Sequence, residues 1–269
     1  MHFVLNEPYS SSVALFAAHS NPPLAVLVRY ALHPPHSLYR SPPTAHCPPP
    51  PTAHQPDSHI TLCANLTKDD PNAHVLDQYM NPSNPLAHYD GTAEEILSQT
   101  DENVDVIVMS AGTGGTVTGT ARKIKERLPN CQIVAVDPRG SILAVGADDI
   151  NEKGLGAGYE IEGIGYDFIP SVLNRNSVGG NKQIDTWVKI EDQESWDNAR
   201  DMIRTEGLMC GGSSGSAIAG ALKYIEAQDD KLAGKRVVVL LPDSIRNYMS
   251  KFLDDDWMDQ NNFDYAGKQ

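Results

Sequence analysis

A glycine-rich stretch in the middle of the chain has the composition of an anion-binding turn. Residues 110–120 read Ser-Ala-Gly-Thr-Gly-Gly-Thr-Val-Thr-Gly-Thr. They follow an apolar run at 104–109, typical of a buried strand, and precede an amphipathic run at 116–128 that predicts a helix. Such a turn presents unpaired N–H groups and the positive end of a helix dipole to an anion. Because a Cβ would block close approach, the glycines predict a phosphate cradle.

Other interpretations of this turn compete with the phosphate cradle. A glycine-rich strand-to-helix turn without any ligand is one of them. A dinucleotide site is another, because Gly112 and Gly114 follow a strand and Asp137 ends the next one. That fingerprint fails at its third glycine, where Val117 stands. A Walker A loop is excluded, because no Gly-Lys-Ser/Thr follows the turn.

A second glycine cluster lies a hundred residues further along the chain. Residues 211–216 read Gly-Gly-Ser-Ser-Gly-Ser and precede a run that predicts a helix at about 213–228. The simplest interpretation is a helix N-cap, for which serine is a preferred residue. If both glycine turns serve one cofactor, they must lie at the same carboxyl edge of a parallel sheet and converge on one pocket.

Five further motifs accompany the two glycine turns. They are Leu-Asp-Gln-Tyr at 76–79, Asn-Pro-Leu-Ala-His-Tyr-Asp at 84–90, Val-Asp-Pro-Arg-Gly-Ser-Ile-Leu-Ala at 136–144, Glu-Gly-Ile-Gly-Tyr-Asp-Phe-Ile-Pro at 162–170 and Leu-Pro-Asp-Ser-Ile-Arg-Asn-Tyr-Met at 241–249. In this order and with both turns, the chain from about residue 57 to 263 resembles the cysteine synthase/cystathionine β-synthase family. Its members are pyridoxal-phosphate (PLP) enzymes of fold type II, similar to tryptophan synthase β.

The resemblance implies a cofactor and a role for each motif residue. The cofactor is pyridoxal 5'-phosphate, whose phosphate would be held by the residues of the first turn: Gly112, Thr113, Gly114, Gly115 and Thr116. Ser213 of the second turn would face the pyridine nitrogen, which a hydroxyl leaves largely unprotonated. Four residues would lie on the substrate side: Tyr79, Gly163, Gly165 and Tyr166. For these four, an ordinary glycine turn and core tyrosines remain equally open interpretations.

One element of the family pattern is absent from the sequence. The family's Schiff-base lysine belongs to a Ser-x-Lys-Asp-Arg-like segment well upstream of the phosphate loop. Here the first lysine is Lys68, and nothing before Asp57 resembles that segment. The sequence therefore predicts the phosphate and ring-nitrogen side of an active site without its covalent anchor. We assign no catalytic lysine and no metal ligands.

The family reaction gives the functional expectation. It condenses serine with homocysteine to cystathionine by β-replacement, a step in transsulfuration and cysteine biosynthesis. The expected partners are those two amino acids and either a second copy of the chain or an intact paralogue. The alternative is a protein that is not an enzyme: an inactive remnant that binds or oligomerises with such a paralogue. A dehydrogenase half is the third possibility, disfavoured by Val117.

The remaining pattern predicts the elements that position these residues. Helices are expected at 58–66, 116–128, 191–206, 213–228 and 244–253, and strands at 74–76, 104–109, 132–136, 186–190 and 236–241. Thr92 and Glu95 have the spacing of a capping box for a further helix reaching about Ser98. Alternating strands and helices predict an α/β fold, a doubly wound and mostly parallel sheet representing a partial domain.

Composition limits the partners and the compartment. The formal net charge of −14 argues against nucleic-acid binding and against anionic membranes. No apolar run approaches the ~20 residues that span a bilayer. The four cysteines show no paired spacing, so we expect no disulfide framework and a reducing, cytoplasmic location.

The first 54 residues differ in composition from the rest. They hold 11 of the 19 prolines and six of the nine histidines, with no lysine and no glycine. Repeated Pro-Pro pairs interrupt helices and central strands. We interpret residues 1–54 as a Pro/His-rich, disordered extension unrelated to the family, and residues 55–269 as the partial catalytic domain.

Overall fold

The structure is a computed structural model that describes residues 58–68, 70, 72–144, 158–175 and 183–266. It also describes the backbone of two strands nearer the N-terminus, Val13–Ala18 and Leu24–Tyr30. The elements and contacts of the fold lie within these residues.

A six-stranded sheet forms the centre of the protein. Its strands are β1 (Val13–Ala18), β2 (Leu24–Tyr30), β3 (Val106–Ser110), β4 (Gln132–Pro138), β5 (Thr186–Ile190) and β6 (Arg236–Leu241). Their order across the sheet is β1-β2-β6-β3-β4-β5, and only β1 runs antiparallel to its neighbour. Strands β3 and β6 are unbroken apolar runs, as expected for parallel strands covered on both faces.

Helices cover both faces of the sheet. They are α1 (His59–Thr67), α2 (Ser83–Ala87), α3 (Ala93–Gln99), α4 (Gly115–Arg127), α5 (Asp192–Glu206), α6 (Gly212–Ala227) and α7 (Asp255–Gln260), with a π-helical segment at His88–Thr92 and 3₁₀ turns at Asp229–Leu232 and Ile245–Asn247. Alternate residues of the strands point to two separate cores. One core packs against α3 and α4, and the other against α5, α6 and α7. The doubly wound, mostly parallel α/β fold is therefore confirmed.

Three local predictions were wrong. Residues 74–76 form no strand, since Val75 and Leu76 are exposed and pair with no neighbour. Thr92 is not a helix N-cap: the π-helical segment runs directly into α3, so Thr92 has helical dihedrals and caps nothing through its side chain. Residues 244–253 form a short 3₁₀ turn followed by further turns, in which the N–H groups of Tyr248 and Lys251 bond to the carbonyls three residues back, at Ile245 and Tyr248, and not four as in an α-helix.

The interpretation of residues 1–54 as a disordered extension omitted β1 and β2. Both are short apolar segments, and β2 pairs in parallel with β6. A strand needs only about five residues, so such segments fit between the prolines. The rest of the first 57 residues lies outside the described part of the chain, and the boundary at residue 54 stays a prediction.

A buried ion pair ties the ends of β4 and β5 to the loop that follows β4. Asp137 is fully buried, and its carboxylate accepts hydrogen bonds from Lys189 Nζ at 2.6 Å and from the Ala144 N–H at 3.0 Å. Lys189 Nζ also donates to the carbonyls of Pro138 and Ser141. Burial raises the pKa of Asp137, and the lysine opposes that rise. The pair therefore holds residues 138–144 in place.

No helix among the described residues is both long and apolar enough to cross a membrane. Within the same residues, no group of three or more histidine, cysteine or acidic side chains is arranged to hold a metal ion. Cys63, Cys131 and Cys210 are free thiols. Four histidines of the Pro/His-rich first 54 residues, His33, His36, His46 and His54, lie outside the described residues.

Candidate active site

The two glycine turns meet at one cavity. Strand β3 ends at Ser110 and leads through residues 111–114 into α4, while α6 begins at Gly212 beside the end of β6. The cavity between them has a volume of about 190 Å³. It is lined by Ser110, Gly112, Thr113, Gly114, Thr116, Val117, Gly163, Ile164, Ser213, Pro242 and Asp243. The predicted phosphate-loop residues and Ser213 therefore share a site, with the exception of Gly115, which begins α4 just behind the lining.

Backbone geometry explains the glycines of the first turn. Gly114 is the N-cap of α4 and has a φ of +87°, a conformation that favours glycine. A Cβ there would lie 2.5 Å from the side chain of Leu173. A Cβ on Gly112 would lie 2.3 Å from the carbonyl oxygen of Gly163. The turn is thus packed against both neighbouring loops, and its amides stand at the positive end of a 13-residue helix.

Two side chains that the sequence analysis did not single out contact the threonines of the turn. Asn84 Nδ2 donates to Thr113 Oγ1 at 3.0 Å, and His88 Nε2 lies 3.1 Å from Thr116 Oγ1. Both residues belong to the motif at 84–90, to which no role was given. Their position within a motif was the one available signal, because 28 or 29 residues separate them from the threonines.

Ser213 lines the same cavity. It is 4% exposed, and no protein partner for its hydroxyl is found among the described residues. Asp243 lines the cavity beside it, and the Asp243 carboxylate accepts a hydrogen bond of 2.6 Å from the Tyr248 hydroxyl. Burial, followed by the charge of Asp243, raises the pKa of the Tyr248 phenol well above its usual value. Asp243, like Asn84 and His88, had no predicted role.

The predicted substrate-side residues divide into two groups. Gly163 lines the cavity, and the Gly165 N–H donates to the carbonyl of Ala111 beside the phosphate turn. Tyr79 and Tyr166 do not line the cavity; their rings pack edge to face at 5.4 Å and both contact Phe168. Burial raises the pKa of the Tyr166 phenol, with a smaller contribution from its contact with Tyr79. Tyr79 and Phe168 thus pack against Tyr166, the last residue of the loop at 163–166.

An acidic side chain of α5 holds the residues that come just before this loop. Asp192 accepts a hydrogen bond of 2.7 Å from the Glu160 N–H, and the Ile161 N–H also interacts with its carboxylate. Burial raises the pKa of Asp192 to about 6, and the nearby carboxylates of Glu160 and Glu191 add to this rise. The residue titrates within the pH range in which enzymes are assayed.

The cavity does not have the features of a dinucleotide site. Val117, which replaces the third glycine of that fingerprint, is fully buried in the core beneath α4. Asp137, the acid that would bind a ribose, is buried and paired with Lys189. It is therefore not available to a sugar hydroxyl.

Comparison with known proteins identifies the family. The family described as pyridoxal-phosphate-dependent enzymes matches residues 50–243. This chain is a member of that family. The match includes both glycine turns and the cavity between them.

Relatives within the family agree in name and in fold. Over 208 residues the chain is 58% identical to the cystathionine β-synthase of Dictyostelium discoideum, covering 77% of this chain and 39% of the relative. It is 44% identical over 212 residues to that of Saccharomyces cerevisiae, again over 77% of this chain and 40% of the relative. The chain thus spans about two-fifths of the length of these relatives.

Solved structures show the same arrangement of strands and helices. An O-acetylserine-dependent cystathionine β-synthase from Helicobacter pylori is similar at a TM-score of 0.60 and 35% identity, over 70% of this chain and 56% of that one. A cysteine synthase from Entamoeba histolytica is similar at a TM-score of 0.64 and 34% identity, over 78% and 55%. The fold type II assignment is therefore confirmed.

Gly112→Ala is expected to damage the cavity. Its Cβ would collide with the Gly163 carbonyl and separate the phosphate turn from the loop at 163–166. We expect affinity for pyridoxal phosphate, measured by fluorescence titration, to fall about tenfold or more, a cost of ~1.4 kcal/mol. Gly91→Ala is the matched control, since a Cβ at Gly91 meets nothing within 4 Å. Equal affinity of the two variants would contradict this account.

Asp192→Asn is expected to change how stability depends on pH. The pKa of Asp192 is raised to about 6 in the folded protein, so burial of its anion lowers the free energy of unfolding above that pH. This loss is recovered as the pH falls through 6 toward the pKa of aspartate in the unfolded chain. Asparagine stays neutral and can still accept from the Glu160 N–H. Urea unfolding should show the variant more stable than the parent at about pH 7.5 and equally stable at about pH 4. If the variant and the parent differed in stability by the same amount at both pH values, the raised pKa of Asp192 would be refuted.

Proposed function

We propose that the cavity binds the phosphate and pyridine ring of pyridoxal phosphate, and that the protein takes part in β-replacement between serine and homocysteine to form cystathionine. The observation that carries the proposal is the convergence of the α4 and α6 N-termini on one cavity. The names of relatives at 44–58% identity support the choice of reaction. Cysteine biosynthesis in the cytoplasm is the corresponding physiological role.

The first turn fits a phosphate. The N–H groups of Gly115, Thr116 and Val117 begin α4, and the first helical bond runs from the Thr118 N–H to the Gly114 carbonyl. Three amides at a helix start therefore remain for an anion. The hydroxyls of Thr113 and Thr116 line the same end of the cavity and add two further donors.

The second turn fits an aromatic ring nitrogen. Bound pyridoxal phosphate supplies an electron sink for the charge that develops at the α-carbon of an amino acid. The Ser213 hydroxyl would hydrogen-bond the ring nitrogen without protonating it, which keeps that sink weak. A weak sink suits elimination and replacement at the β-carbon better than transamination. Gly163 and Ile164 form the wall nearest to the substrate, and the carbonyl contact at Gly112 fixes that wall.

No amine of the described residues is placed to hold the cofactor covalently. Among the described residues, no lysine lines the cavity, and Lys123, Lys125 and Lys189 are each engaged in an ion pair. The site would therefore bind the cofactor through its phosphate and ring. We also propose that the functional protein is an oligomer, because a second chain could supply the segment that carries such an amine.

The first test is whether the chain binds pyridoxal phosphate without forming a covalent bond to one specific lysine. We expect the chain to bind pyridoxal phosphate more tightly than pyridoxal, because the phosphate turn contacts only the former, and to show no affinity for NAD. Borohydride reduction followed by peptide mapping should label no lysine stoichiometrically. Formation of cystathionine by the isolated chain, together with one fully labelled lysine, would refute the missing-anchor prediction. Tight NAD binding would instead revive the dehydrogenase interpretation.

Ser213→Asp is expected to change the protonation of the cofactor. A carboxylate beside the pyridine nitrogen stabilises its protonated form, whereas a hydroxyl does not. Ring-¹⁵N-labelled pyridoxal phosphate should show a protonated nitrogen when bound to Ser213→Asp and an unprotonated one when bound to the parent chain or to Ser213→Ala. The same nitrogen shift in all three proteins would place Ser213 away from the ring.

A further inference from the structure

The threonines of the phosphate turn are held by side chains that lie on the opposite side of α4 from the sheet. Asn84 in α2 and His88 at the start of the π-helical segment are four residues apart and face the same helix. A Cβ on Gly115 would lie 1.8 Å from Asn84 Oδ1, and one on Gly119 would lie 2.0 Å from the Pro85 carbonyl. Glycines in α4 thus let this segment approach until its side chains reach Thr113 and Thr116.

The direction of each hydrogen bond decides what the threonines can offer an anion. A threonine hydroxyl has one proton, so it can donate to an anion only if its other contacts are ones in which it accepts. Asn84 Nδ2 donates to Thr113 Oγ1 at 3.0 Å and to the Gln78 carbonyl at 2.8 Å. An amide nitrogen has only donors, so the Thr113 proton remains available to the cavity.

His88 has the corresponding contact with Thr116, and there the tautomer matters. Nε2 lies 3.1 Å from Thr116 Oγ1 and Nδ1 lies 3.0 Å from Thr92 Oγ1. With the proton on Nε2, the histidine donates to Thr116 and the threonine proton is available to the anion. With the proton on Nδ1, Thr116 must donate to the histidine, and its proton is lost to the cavity.

We propose that Asn84 and His88 are positioning residues that turn the Thr113 and Thr116 hydroxyls into donors for the bound phosphate, with His88 held as the Nε2–H tautomer. This inference rests on the proposed function, because it takes the anion in the cavity to be the cofactor phosphate. The π-helical segment contributes to this arrangement, since it carries both His88 and Thr92, and the imidazole is held between the hydroxyls of Thr92 and Thr116.

Substitutions at His88 test the donor directly in the full-length chain. Glutamine places an amide nitrogen near the position of Nε2, whereas asparagine reaches only as far as Nδ1. We expect His88→Asn to lower affinity for pyridoxal phosphate and for sulfate about tenfold, and His88→Gln to stay within about threefold of the parent. Thr116→Val should lower affinity as much as His88→Asn does. The double variant His88→Asn/Thr116→Val should lower it no further, because both substitutions remove the same donor.

Asn84→Asp tests the second pair. A carboxylate of the same shape accepts from Thr113 instead of donating to it, and it adds a negative charge beside the turn. Affinity for sulfate should therefore fall by more than tenfold. The exposed His74 provides the control for the histidine substitution, since His74→Asn should leave anion binding unchanged. Melting temperatures of all variants separate lost binding from lost folding.

The tautomer can be read without any substitution. Two-bond ¹⁵N–¹H spectra of the parent chain at about pH 8, with saturating sulfate, should show the His88 ring protonated at Nε2; the signal is assigned as the one missing from His88→Gln. An Nδ1–H ring would overturn the inference, as would equal affinities of His88→Asn and His88→Gln. If the parent binds pyridoxal phosphate in either case, the proposed function stands. Failure of the parent to bind either anion would overturn both.

Discussion

The parallel pairing of β3 with β6 is the constraint on which the site depends. Val106, Ile107 and Val108 of β3 lie opposite Val237, Val238 and Val239 of β6, so both strands end at the same edge of the sheet. Helix α4 follows β3 and starts at that edge. Helix α6 precedes β6 along the chain and must run in the opposite direction to it, so its N-terminus also lies there. Two positive helix ends therefore face one cavity as a consequence of strand order.

Close packing of helices determines how tightly the cavity is enclosed. Glycine is unfavourable inside a helix by about 1 kcal/mol relative to alanine. Helix α6 nonetheless carries Gly215 and Gly220, where a Cβ would lie 2.0 Å from the Ser195 carbonyl and 2.3 Å from Val136. The same relation holds for Gly119 of α4 and the Pro85 carbonyl. The helical propensity lost at these positions is offset by close packing of α4 and α6 against their neighbours.

Local sequence patterns were sufficient for the two glycine turns and the elements that flank them, but insufficient for the contacts that surround the turns. The turns at 112–116 and 211–216, the helices that follow and the buried strands all have signals within a few neighbouring residues, and each was predicted within about two residues. The capping-box prediction at Thr92 was wrong because the same residue spacing also occurs inside a helix that has already begun. The roles of Asn84 and Asp192 depend on partners 29 and 32 residues away, which no local periodicity encodes.

The geometry around Lys189 has a consequence for chemical selectivity. Its ammonium group donates to three oxygens, those of the Asp137 carboxylate and of the Pro138 and Ser141 carbonyls, which occupies all three of its protons. An amine attacks an aldehyde only through a free lone pair, and this nitrogen has none to offer while the three bonds persist. In a family whose cofactor is an aldehyde, this lysine is thereby kept from becoming an unintended nucleophile.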